Sequence, residues 1–174
     1  SEYVSYYRKD NLTPRNFSCY TETPISATFN AANDVRAMAF GTMKTYRLAM
    51  NATYEYTQYW GGVSQANSAI VTTINTINHI YQREFAITLN IVYSNPANNS
   101  SDGFSNEDGA AMLSQNQSKL DANPGNANYD IGHVFSTGGG GIAAFKSVGI
   151  SGVKGMGVTG SPTPHGDAFD IDYV

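Results

Sequence analysis

Residues 129–145 read YDIGHVFSTGGGGIAAF, and this stretch decides how the rest of the chain is arranged. From Tyr129 to Ser136 apolar and polar residues alternate, which predicts a strand with Tyr129, Ile131, His133 and Phe135 on one face. Gly138 to Gly141 interrupts it, and strand character then resumes at Ile142. Residues 142–148 and 153–159 read as two further short strands. Ordering glycine costs more backbone entropy than ordering any other residue, so four in succession inside a sheet need a physical reason.

Upstream, the period changes twice. From Lys44, Tyr46, Leu48 and Met50 alternate with Thr45, Arg47 and Ala49, as in a half-buried strand. Between Val63 and Phe85, Val63, Ala66, Ile70, Ile74, Ile77 and Tyr81 recur at three and four, forming the apolar stripe of a long helix with Ser64 as its cap. Ile87, Leu89, Ile91 and Tyr93 then alternate as one face of a second strand. A polar loop rich in turn-formers leads to a second helix, with Ala111, Leu113, Gln117 and Leu120 on its apolar side, Asn106 as its cap and Pro124-Gly125 as its end. Strands separated by helices predict an α/β (α+β) fold: a twisted mixed sheet of four to five strands with two packing helices. Residues 1–43 lack a sustained period and read as an N-terminal arm or extension, with one short helical turn within 34–43. Residues 44–174 read as a single unit.

Composition narrows the function. The chain of 174 residues carries a net charge of −4, and only 14% of its residues are charged. There is no basic stripe to neutralise phosphates, which argues against a nucleic-acid partner. No apolar run approaches the roughly 18 residues that argue for a membrane span. The Tyr- and Asn-rich, lysine-poor composition is that of a secreted protein more often than a cytosolic one, and the first residues read as a mature or trimmed start. Cys19 is the sole cysteine, so it forms no disulfide within 1–174; its readings are a packed thiol, a surface thiol or a metal-masking ligand. Sequons at Asn11, Asn16, Asn51, Asn98, Asn99 and Asn116 read as chance matches in an Asn-rich chain.

No motif yields a complete active site by spacing alone. Residues 155–160, GMGVTG, match a dinucleotide fingerprint in letters, but Pro162 and Pro164 forbid the helix that must follow, so a turn is expected. His165, Asp167, Asp170 and Asp172 are the densest group of candidate ligands, yet their spacing matches no zinc or calcium signature. They read instead as the start of a helix capped by Asp167 or Asp170. His79 reads as a surface or boundary residue and His133 as a hydrogen-bonded core histidine. No metal ligand is assigned within 1–174.

Taken together, YDIGHVFSTGGGGIAAF and the closing GVKGMGVTGSPTPHGDAFDIDYV resemble bacterial zinc metallopeptidases of the reprolysin type, in the metzincin clan. KTYRLAMNATYEYTQYWGG, AIVTTINTINHIYQREFAITLNIV and NEDGAAMLSQNQSKLD extend the resemblance over roughly 44–174. It implies a metzincin-like upper subdomain and a secreted endopeptidase acting through zinc-activated water on peptide or protein substrates. In such enzymes the segment matching FDIDYV leads into a helix bearing H-E-x-x-H-x-x-G-x-x-H. Residues 1–174 contain no such motif, so the resemblance places the catalytic residues after Val174 and none before it. The expectation is therefore an amino-terminal part of a catalytic domain, truncated before its zinc ligands, inactive alone and partnered by the remaining carboxy-terminal part. The resemblance also assigns Gly140, Gly141, Ile142, Ala143 and Ala144 to an edge strand that pairs with substrate. A glycine hinge between strands is the other reading of the run. Two departures stand out: Lys146 and Ser147 replace more apolar residues, and Arg47 occupies the region of an acidic calcium ligand. A non-catalytic peptide-binding or interaction module is the alternative function.

Overall fold

The computed structural model describes residues 42–174, so the N-terminal arm, its helical turn and Cys19 lie outside the described residues. Five strands form one mixed sheet in the order β2-β1-β3-β5-β4. They span Lys44–Ala52 (β1), Ile87–Pro96 (β2), Ile131–Ser136 (β3), Gly140–Ala143 (β4) and Gly157–Gly160 (β5). β1 runs parallel to β2 and β3, β3 runs parallel to β5, and β4 alone is antiparallel, paired to β5. Helices α1 (Tyr54–Trp60), α2 (Val63–Phe85) and α3 (Gly109–Leu120) complete the frame, followed by a wide helical segment Ala168–Tyr173. The expected sheet with packing helices is what forms.

Alternation along β1 and β3 divides the core between two faces. Leu48, Met50, Ala52 and Phe135 pack with Ala66, Ile70, Ile74 and Ile77 of α2 and with Tyr56 and Phe169. Each large aliphatic side chain fully buried this way stabilises the fold by about 1.5–3 kcal/mol. On the other face, Ala49 packs with Leu120 and Tyr129, and Val134 and Val158 pack with Met112 of α3. Asn51 and Asn116 bond to each other in this second layer at 2.8 Å, and both are buried, so these two sequons are closed to glycosylation in the folded state.

Local chemistry corrects several expectations. α1 was not anticipated; the Thr53 hydroxyl caps it by accepting from Tyr56 N, and Gly61 ends it in the left-handed region at φ 87°. α2 starts at Val63 with Gly62 in the cap position, so Ser64 lies inside the helix, and Val63 is exposed, so the buried stripe starts at Ala66. Asp108, not Asn106, caps α3 through a 2.9 Å bond from Ala111 N. The Asn106 side-chain carbonyl is already occupied by Thr53 Oγ1 and Thr137 N. A bulge in β2 pairs Leu48 with Ile91 but Ala49 with Tyr93. The extra residue, Val92, flips the alternation, so Tyr93 packs against Ala49 rather than beside Leu89 and Ile91. Tyr129 precedes β3 and turns to the α3 face, apart from Ile131 and Phe135. Asp167 makes no side-chain cap; Asp170 accepts instead from Thr73 Oγ1 at 2.7 Å, tying the closing segment to α2. Of the two short strands expected over 142–148 and 153–159, only Ile142 and Ala143 of the first and Gly157–Thr159 of the second are strand, so the end of the GMGVTG stretch lies in β5 rather than in a turn.

Candidate functional site

The four-glycine run delivers the chain from the end of β3 to β4, the outermost strand beside β5. Gly140, Gly141, Ile142 and Ala143 lie in β4, and Ala144 follows directly, donating to Met156 O at 2.9 Å. With Gly140 opposite Gly160 and Ile142 opposite Val158, that bond sets the phase of the ladder. Antiparallel alternation then directs the main-chain groups of Gly140 and Ile142 toward β5 and those of Gly141 away from it.

Close backbone approach explains two of the glycines here. A Cβ on Gly138 would lie 2.2 Å from Asn106 O, and one on Gly160 would lie 2.1 Å from Gly138 O. Gly140 further requires the left-handed region, at φ 106°. Gly139, by contrast, is exposed with nothing near its missing side chain. The run is therefore a tight seam between the loop before α3 and the end of the sheet, and the simple-hinge reading does not account for these contacts.

Beside β4, between the glycine seam and the first turn of α3, lies a cleft of about 640 Å3 bordered by Glu107, Asp108, Ser136, Gly140 and Ile142. Ile142 places Cγ2 3.3 Å from where a side chain on Gly109 would begin, so strand edge and helix start form one continuous wall. The Ser136 side chain is 1% exposed, and its hydroxyl has no hydrogen-bond partner. A second cleft, about 480 Å3, lies between α2 and the closing segment, with Trp60, Thr73, His165 and Asp170 on its walls.

The histidines are dispersed. His79 is exposed on α2. His165 stacks on Tyr59 with ring centres 5.8 Å apart, its Nδ1 hydrogen-bonded to the tyrosine hydroxyl. His133 Nε2 bonds Thr159 Oγ1 at 2.9 Å, as expected of a core histidine, and burial pushes its pKa down to about 4. Among the described residues no three His, Cys, Asp or Glu side chains converge. The donor set of these residues does not fit a zinc centre, and no chemical step is assigned to a metal on them. The Arg47 guanidinium grips Asp130 through two contacts of 2.8 and 3.1 Å and donates to Ala127 O. It thereby holds the Asp130 carboxyl below its usual range. Where the resemblance would put an acidic calcium ligand, β1 thus carries a cation with its own partner.

Val174, the residue after which the catalytic groups are expected, is a packing residue. Its side chain is half-buried against the core layer under α2, where it borders a small apolar cavity with Leu48, Ile77, Ile131 and Phe135. Its N–H donates to Phe169 O at 3.2 Å, which closes the last helical turn onto that layer. An aliphatic side chain offers neither a metal ligand nor an acid or base, so Val174 marks a position in the sequence and supplies no chemistry.

The five residues assigned to substrate are contiguous on one edge, which sequence reasoning located by resemblance. Glu107, Asp108 and Ser136 escaped it. They reach the cleft from segments about 30 residues apart, and no spacing rule links a helix cap to the end of a distant strand. A family described as metallo-peptidase family M12B, reprolysin-like, matches residues 42–174. No curated protein matches the chain.

Proposed function

The chain belongs to the reprolysin-like M12B metallopeptidase family, and on that premise we propose that it serves a secreted zinc-dependent metalloendopeptidase by docking extended peptide along β4. The observation that carries this reading is the position of Gly140–Ala143 in the last strand of the sheet, with the main-chain groups of Gly141, itself a buried residue, directed away from β5. An extended peptide laid there gains main-chain hydrogen bonds irrespective of its sequence, and its side chains alternate between the two faces of the sheet. Zinc and its ligands, and with them the hydrolytic step, are assigned to residues other than 1–174, because these contain no H-E-x-x-H and no convergent ligand group among the described residues. Residues 1–174 alone are accordingly inactive, and the rest of the catalytic domain is their natural partner. The dispersed histidines equally suit a non-catalytic peptide-binding module, which would use the same edge.

The docking mode has a signature independent of cleavage. In a set of extended peptides N-methylated one residue at a time, binding to the intact protein is measured with a chelator present to stop hydrolysis. Each methyl removes one N–H donor, so affinity falls up to about tenfold at every second position and hardly changes between them, since a hydrogen bond contributes roughly 0.5–1.5 kcal/mol. Equal losses at all positions, or none, would refute strand addition.

A further inference from the structure

The cleft between β4 and the start of α3 has a chemistry of its own, and its occupant follows from strand docking on β4, on which this inference rests. Its charged lining consists of two carboxylates, Glu107 and Asp108. One oxygen of Glu107 accepts from Asn106 Nδ2, and one of Asp108 accepts from Ala111 N, leaving each carboxylate a second oxygen. The first turn of α3 contributes an opposing field worth about half a positive charge, too small to offset two full negative ones. The cleft therefore favours a cation.

Independently, Ser136 borders the cleft, is only 1% exposed, and its buried hydroxyl lacks a partner. A buried polar group without a partner is destabilising, and an incoming donor relieves that cost. The strand geometry supplies the route. Gly140 and Ile142 border the cleft, and Gly140 carries no side chain to obstruct it. A peptide strand added beside β4 sends every second side chain to that face of the sheet. A guanidinium brings five N–H donors in a planar fork and an ammonium three, enough to meet carboxylate and hydroxyl together.

We propose that this cleft is a specificity pocket for a basic side chain, arginine or lysine, of the docked peptide, held by the Glu107 and Asp108 carboxylates and the Ser136 hydroxyl. The test is a set of alanine-based extended peptides in which arginine, and separately glutamine, is moved through each position. Binding to the intact protein is again read with cleavage blocked. One position is expected to prefer arginine over glutamine by about tenfold, as for a charge-assisted contact. The preference should shrink to about twofold in Glu107→Gln, whose side chain is exposed and free to change without disturbing the core, and weaken in Ser136→Ala. Peptides that keep the every-second-residue N-methyl pattern but show no arginine preference, or a preference indifferent to Glu107→Gln, overturn the pocket and leave edge docking standing. Peptides that fail to bind at all overturn both.

Discussion

Replacing Gly160 with alanine is expected to destabilise the protein by about 3 kcal/mol, near the upper end of ordinary overpacking. The added methyl would lie 2.1 Å from Gly138 O, 2.4 Å from Ser136 Oγ and 2.9 Å from Gly138 C. Two of these three atoms are backbone, so no rotamer change relieves the clash; β5 and the glycine seam must separate. For a domain of this size the midpoint of thermal unfolding falls by roughly 10 °C. Gly139→Ala, in the same run, meets open space and should stay within about 0.5 kcal/mol of the parent. If both variants melt like the parent, the seam is not packed as described.

Stability should also fall as pH drops from about 6.5 to about 4, in proportion to the proton that His133 refuses in the folded state. Its folded pKa is pushed down to about 4 by burial against the face formed with Phe135 and Thr159. An unfolded histidine titrates near 6.5, so between these values the unfolded chain binds more protons and acid favours it. The stabilisation is complete above about 6.5 and is lost as pH approaches 4. Because the ring keeps some solvent exposure, the loss is put at about 2 kcal/mol, below the full value of the shift. The depressed carboxyl of Asp130 acts in the same direction but only below its ordinary value of 3.8, outside this window. Urea unfolding of the parent at pH 7 and pH 4.5, beside His133→Leu, reads the effect directly. The variant should lose most of the slope. A parent whose stability is flat across this window would place His133 in water.

What the amino-acid order revealed depended on how local the physics was. The long helix was legible because Ala66, Ile70, Ile74 and Ile77 all bury against one sheet face at its own period. Its first turn was not, because Gly62 caps it without a side chain to read. Tyr93 was misplaced by one extra residue, Val92, which no propensity announces in an otherwise regular alternation. Asn106 has the letters of a cap, but Thr53 and Thr137 compete for its carbonyl, and both contacts come from distant segments. The edge position of Gly140–Ala143 followed from resemblance alone, since period-two alternation in four residues does not distinguish an outer strand from an inner one. The acidic cleft beside it depends on Ser136 meeting the start of α3 across the sheet, which only the folded backbone brings about.

Peptide docking by this chain requires an extended strand to add to the sheet at β4. Amide hydrogen exchange of the intact protein, with and without a saturating extended peptide and with cleavage blocked, tests this residue by residue. Slowed exchange at Gly141, whose main chain turns away from β5, with Ile142 unchanged because its amide already faces β5, is the predicted pattern. Protection confined to the cleft around Trp60 and His165, with Gly141 exchanging as before, would contradict it.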